Sequence, residues 1–228
     1  MKAGISAEID LKEFKLIEGK YYVSDEPQGG PAWMSQRFSL VTASKANSAV
    51  NPGNRFKGPK ELAQEMRKRI ETIPNEAMKW GTEMEPIARK LYELENNVEV
   101  KTHGLMIPIW DLRIGCSLDG MVNSDLIIEI KCPKYMYNPI VEYMEYEPPG
   151  LGHIWDSHYD QMQMCMAISG ARNCDYYVLD SLYERFQQRI PFNPKYWNKF
   201  LYPRINRFFD KYFPEFTINK PKKLHKIT

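Results

Sequence analysis

The chain has 228 residues, 43% of them hydrophobic, which is enough to bury one sizeable core and close to the upper size of a single domain. Its formal charge of +2 gives almost no net field, so any affinity for a polyanion has to come from local clusters of basic residues. Cys116, Cys132, Cys165 and Cys174 are widely spaced with no CxxC pair, which argues against a zinc or iron–sulfur scaffold and for free thiols in a reducing compartment. No N-terminal apolar run resembles a signal peptide, and no stretch approaches the ~18 apolar residues of a membrane span. The expectation is a soluble intracellular protein with no membrane partner.

In chain order, residues 1–32 carry turn formers from Asp25 to Pro31 and read as a strand or arm feeding a loop. The run Trp33–Ser44 reads as a helical turn, a short apolar segment, and a Thr42/Ser44 pair suited to capping a helix. Asn51–Lys60 is rich in Pro, Gly and basic residues and reads as a loop; its Arg55, Lys57 and Lys60 are candidate contacts to a nucleic-acid backbone. A helix is expected over Glu61–Ile73, with Leu62, Met66, Ile70 and Ile73 on one buried face. A second is expected over Glu76–Glu95, with Met84, Ile87, Ala88 and Leu91 buried. Pro86 should begin or kink that second helix, which places Glu85 early in it. There a carboxylate serves equally as a helix-capping group or as a metal-facing one.

Val98–Ile109, Leu112–Gly115 and Leu126–Cys132 read as strands of an antiparallel meander. Loops through Pro139 and Pro148–Gly150 lead to a methionine-rich helix over Ile154–Ser169, a strand over Asp175–Asp180, a partner strand over Glu184–Ile190, and an aromatic helix over Tyr196–Phe213 interrupted by Pro203. The last ten residues, 219–228, are basic and read as a solubilising tail. The order of elements implies one mixed α/β (α+β) domain, a central sheet flanked by helices.

Chemistry concentrates in Gly115–Pro133. Alternation along Leu126–Cys132 puts Leu126, Ile128, Ile130 and Cys132 on one face, and Ile127, Glu129 and Lys131 on the other. The Cα atoms of Glu129 and Lys131 then lie about 7 Å apart. A turn at Asn123–Asp125 allows Asp119 to fold back beside them. For this segment by itself, an amphipathic strand with a solvated Glu/Lys pair is the better explanation, and other segments have to decide. The oxygen donors Glu85, Asp119 and Glu129, without a nearby histidine, suit magnesium or manganese in preference to zinc, and the carboxylates alone would also suit calcium. The adjacent Lys131 favours chemistry at a phosphodiester, where negative charge accumulates on the reacting phosphate.

Asp119-x9-Glu129-x-Lys131 resembles the PD-(D/E)xK nuclease motif. Trp80-Gly-Thr-Glu-Met-Glu85-Pro resembles the helical acidic motif of the lambda exonuclease and YqaJ-like viral recombinase family. Arg37 followed by Val41–Ser44, then Cys116–Gly120, Glu129–Pro133 and Gln161-x-Gln163 occur in that family's order over roughly residues 33–180; Leu118 stands where the family has proline. The resemblance implies a restriction-endonuclease-like core in which Asp119, Glu129 and the backbone carbonyl of Ile130 bind Mg2+, with Mn2+ as a substitute, and Glu85 reaches the ion directly or through water. It implies that Lys131 orients or deprotonates the attacking water, helped by Gln161. It further implies a 5′-phosphate pocket of Arg37, Ser44 and Ser117 with Gln161 at its edge.

The expected activity is then 5′→3′ exonuclease action on double-stranded DNA ends, leaving 3′ overhangs for recombination or repair. The family also implies a single-strand annealing protein as partner, a ring-shaped homotrimer, and, for a viral chain, the host cytoplasm or nucleus. The rivals are an endonuclease or resolvase on the same core, and a catalytically silent DNA-binding accessory protein.

Overall fold

A computed structural model of the chain describes residues 11–54, 56–70, 73–134 and 154–215. The loops through Pro139 and Pro148–Gly150, the basic tail and Arg55 lie outside the described residues. In order, the elements are β1 (Phe14–Ile17), β2 (Tyr21–Ser24), α1 (Pro31–Gln36), β3 (Val41–Thr42), α2 (Ala46–Val50), α3 (Pro59–Lys68) and α4 (Glu76–Asn96). They continue with β4 (Met106–Pro108), β5 (Ile114–Gly115), β6 (Gly120–Asn123), β7 (Leu126–Lys131), α5 (Asp156–Ser169), β8 (Asn173–Leu179) and β9 (Arg185–Pro191). The short α6 (Pro194–Tyr196) runs through a π-helical turn, Trp197–Leu201, into α7 (Tyr202–Tyr212).

The central sheet has the order β6-β7-β8-β9, in which β7 and β8 are parallel and both outer pairs antiparallel. The parallel pair requires a crossover, and α5 supplies its helix. Alternation along β7 sorts as the sequence predicts. Ile128 and Ile130 pack with Met84, Ala88 and Tyr92 of α4, while Ile127 joins the larger core containing α5 and α7. Glu129 and Lys131 therefore project on the α5 face, in the same layer as Tyr159 and Met162. Sheet and helices thus form the mixed α/β architecture expected.

Several local expectations change. The helix expected to run to Ile73 ends at Lys68, because Arg69 turns left-handed (φ 49°) and the Ile70 amide closes back on the Glu65 carbonyl at 3.2 Å. Ile70 and Ile73 are accordingly exposed. Pro86 neither begins nor ends α4 but sits inside it, and Asn75 caps the helix by accepting the Met78 amide at 2.9 Å. Glu85 is thus mid-helix, which removes the capping role. The buried ridge of α4 is Met84, Ala88 and Tyr92 at i, i+4 and i+8, so Ile87 falls on its solvent side.

The three-strand meander does not form. The partner of β7 is β6, which folds back through the turn expected at Asn123–Asp125; β4 pairs with β2, and β5 pairs in parallel with β3. At the C-terminal helix, Pro203 has no amide to donate back and its ring crowds the preceding turn, so the chain widens into a π-turn just before it and then continues.

Gly104 joins the N-terminal arm to this frame, since a Cβ there would run into the Ser24 carbonyl and come within 2.8 Å of the Glu26 carbonyl. Both obstacles are backbone, which cannot swing aside. Gly104→Ala should lower stability by about 1–3 kcal/mol. A melting curve read by circular dichroism should show the midpoint several degrees lower, and an unchanged midpoint would mean the arm does not pack there.

Candidate active site

Asp119 stands at the foot of β6, where that strand stops running beside β7. Its carboxylate accepts the Ile130 amide at 2.7 Å, which fixes it against the strand that carries Glu129 and Lys131. Lys131 Nζ ion-pairs with Glu129 and donates to Gln161 Oε1 of α5 at 3.3 Å. From the other side of the sheet, α4 brings Glu85 to the same end of β7. Arg89, one turn on, ion-pairs with Glu85 and donates to the Asp119 backbone carbonyl at 2.7 Å. Leu118, in the place of the family's proline, is a buried core residue whose carbonyl accepts from Gln28 at 2.8 Å.

The three carboxylates sense one another. Burial, then the negative charge of Asp119, push Glu129 up to about 8 in spite of Lys131. Burial likewise raises Asp119 against the pull of Lys131 and the Ile130 amide, and burial followed by Asp119 raises Glu85. For Lys131, burial alone would favour the neutral amine. The charges of Glu129 and Asp119 outweigh it, and the ammonium is held more tightly than usual.

Among the described residues no three histidine, cysteine or acidic side chains are drawn together as a ready metal cage. Each carboxylate instead rests on a partner within the chain: Lys131 for Glu129, Arg89 for Glu85, the Ile130 amide for Asp119. All-oxygen donors with mutually raised pKa values nevertheless fit a hard divalent cation, whose charge would relieve that repulsion.

A second constellation lies beside this one. The Arg37 guanidinium stacks on the Trp33 ring, 3.8 Å from its centroid, and donates to Ser44 Oγ at 3.2 Å and Thr42 Oγ1 at 3.5 Å. Among the described residues no acid pairs with it and its Nε has no hydrogen-bond partner, and burial lowers its pKa to about 10. Trp33 Nε1 donates to Ser117 Oγ at 2.8 Å, so Ser117 joins the pocket through the indole. The parallel pairing of Thr42 with Gly115 sets this pocket next to the Asp119 turn.

The structure thus brings Arg37 and Ser44 together and connects Ser117 through Trp33, whereas the hydrogen bond of Gln161 goes to Lys131 on the metal side. Trp33, Thr42 and Arg89 are site residues that sequence reasoning missed or read only as caps; the i, i+4 spacings Trp33/Arg37 and Glu85/Arg89 were the available signals. Of the three candidate backbone contacts, Lys57 is ion-paired with Glu65, which also holds Lys45 at 3.1 Å. Lys60 is exposed and lines a cleft of about 670 Å³ with Arg204, Arg207 and Lys211.

An acid-rich strand end on a four-stranded mixed sheet, beside a guanidinium that no acid pairs with among the described residues, fits a nuclease. The chain belongs to the YqaJ-like viral recombinase domain family, whose model matches residues 32–172. Among solved structures it is similar to an alkaline exonuclease (LHK-Exo) from Laribacter hongkongensis, at 28% identity and TM-score 0.68 over 82% of this chain and 94% of that one. The same values hold for the complex of LHK-Exo with dAMP. A phage-related exonuclease from Haemophilus somnus 129PT shares the fold at 14% identity and TM-score 0.57, over 78% of this chain and 96% of that one. No curated protein matches the sequence. No helix among the described residues is long and apolar enough to cross a membrane.

Glu129 also makes stability depend on pH. Its folded-state value of about 8 exceeds the ordinary 4.5, so its contribution is complete below the ordinary value and is lost as pH rises through the folded one. In metal-free buffer the melting midpoint should fall across that window, and Glu129→Gln or added divalent cation should flatten the fall. A wild-type curve as flat as that of the variant would show that Glu129 is not held in this way.

Proposed function

We propose that the chain is a magnesium-dependent exonuclease that degrades double-stranded DNA 5′→3′, releasing 5′-mononucleotides and leaving 3′ single-stranded overhangs for recombination. The observation that carries the direction is Arg37, half-buried on Trp33 and hydrogen-bonded to Ser44, with no acid among the described residues to neutralise it. A buried cation without an anion suits a terminal phosphate, and guanidinium and hydroxyl donors match phosphate oxygens. The dAMP complex of the related alkaline exonuclease supports a mononucleotide product.

On this reading Asp119, Glu129 and the Ile130 carbonyl hold Mg2+, or Mn2+ in its place, with Glu85 alongside. The ion supplies a lowered pKa for water and neutralising charge at the phosphate. Lys131, held protonated between Glu129 and Asp119, acts as the cation that stabilises the crowded phosphate oxygens, and Gln161 fixes its ammonium. Water attacks phosphorus, the bond to the 3′ oxygen breaks, and that oxygen departs with a proton. The new end carries a 5′-phosphate, so each cut regenerates the group the Arg37 pocket takes. DNA ends are the substrate on this reading, with a single-strand annealing protein as partner and a ring-shaped trimer as the assembly.

Lys131→Ala should abolish release of nucleotides from end-labelled duplex while binding to the duplex stays close to wild type; a variant that digests at the wild-type rate removes Lys131 from the reaction. Arg37→Ala should erase a preference for 5′-phosphate over 5′-hydroxyl ends, and an unchanged ratio rejects the pocket. The same assay on covalently closed circular DNA should leave it intact, whereas nicking would support the endonuclease rival.

A further inference from the structure

The first turn of α5 carries a pair that neither the sequence motif nor the proposed chemistry uses. His158 Nδ1 lies 2.8 Å from the Tyr176 hydroxyl, either atom donating according to the imidazole tautomer. Tyr176 belongs to β8, where it is the direct register partner of Glu129, and its ring is almost fully buried. His158 precedes Gln161 by three residues on one helix face, and Gln161 reaches Lys131. The Trp155 ring stacks on the imidazole, 5.8 Å between centroids and 11° between planes, which fixes the ring's orientation.

The two sides of α5 are anchored separately. Away from the site, Asp160 is bonded to Asn47 at 2.8 Å and to Tyr196, and Gln163 accepts the Asn193 amide at 2.7 Å and donates to the Pro191 carbonyl at 3.0 Å. Toward the central strands, Gln161 accepts from the Lys131 ammonium and His158 is bonded to the Tyr176 hydroxyl. The first is long, and it is the one chemistry needs. The second is short, joins a buried partner, and lies one strand over from Glu129.

We infer that the His158–Tyr176 hydrogen bond is a positioning device for the reaction, locking the first turn of α5 onto β8 so that Gln161 meets Lys131. His158 acts here through Gln161 and touches no reacting atom. Burial and the nearby Lys131 charge hold the imidazole neutral, so Nδ1 donates to the hydroxyl in one tautomer and accepts from it in the other. The inference rests on the proposed nuclease reading.

The test is a mutant cycle with two readouts. Tyr176→Phe and His158→Phe should each lower kcat on 5′-phosphorylated duplex by on the order of tenfold, with KM unchanged. The double variant should be no slower than either single one, because both remove the same bond. His158→Asn, which returns a polar atom to the Nδ1 position, should recover most of the rate. Independently of turnover, the His158 Nδ1 nitrogen resonance in the intact chain should move in Tyr176→Phe.

Full activity in Tyr176→Phe, or an Nδ1 resonance that does not move, overturns the inference. So does a His158→Asn variant as slow as His158→Phe beside an active Tyr176→Phe, since the imidazole itself would then be needed. A wild-type chain that releases no nucleotide rejects the nuclease reading instead, and the resonance still reports whether the bond exists.

Discussion

The hydrogen bond from the Ile130 amide to the Asp119 carboxylate is the constraint on which the site depends. The ladder between β6 and β7 runs out at the Gly120–Ile128 pair, and the chain before Gly120 turns away toward β4 and β5. The carboxylate stands where the next rung would be and satisfies a β7 amide that would otherwise be left unpaired, at a cost of about 1–3 kcal/mol. One side chain thereby ends a strand pair and is itself aimed at the end of β7. Glu129 and Lys131 then need only the alternation of the strand to arrive beside it.

Such a site is costly to assemble from carboxylates alone, because burial raises each pKa, Asp119 raises those of Glu85 and Glu129 further, and Glu85 adds to that of Glu129. Lys131 and Arg89 answer that cost from within the chain. They balance the carboxylates, and both belong to elements already fixed by the core, β7 and α4. Removing Lys131 would leave the buried Glu129 carboxylate uncompensated, which costs more than the pair itself contributes. On the proposed reading, the balance of charge in the folded chain and the affinity for a divalent ion would therefore be set by the same few residues.

What sequence made legible follows from range. The facing of Ile128, Ile130, Glu129 and Lys131 is decided by neighbours two residues apart, and it emerges intact. The ends of α3 and the rotation of α4 were not legible, because Arg69 takes a left-handed conformation that its side chain does not advertise, and the ridge Met84–Ala88–Tyr92 is chosen by the strand it meets. The hairpin strand β6 was missed because Gly120–Asn123 is short and ends in turn formers. In the site, the motif residues are visible because their spacing is local. Trp33 as the link between Arg37 and Ser117 is not, since indole and hydroxyl lie 84 residues apart. The pairing of Lys57 with Glu65 is equally illegible: nothing local in the loop tells that an acid two turns into the next helix holds this basic residue.

The two constellations are coupled through a short, stiff stretch of backbone. The β3–β5 pairing fixes Thr42 opposite Gly115, and Ser117 and Asp119 follow two and four residues later on the same strand exit. Two extended residues span at most about 7 Å, so the separation between the Ser117 hydroxyl and the Asp119 carboxylate is bounded by the chain itself. That span is the scale of one sugar–phosphate unit. On the proposed reading, a terminal phosphate seated at Arg37 would present the following phosphodiester to Asp119 and Glu129, and the length of each step would be measured by the backbone between Gly115 and Asp119. Cys116 and Leu118, the residues between those functional positions, are both buried in the core, which is what makes the measure rigid.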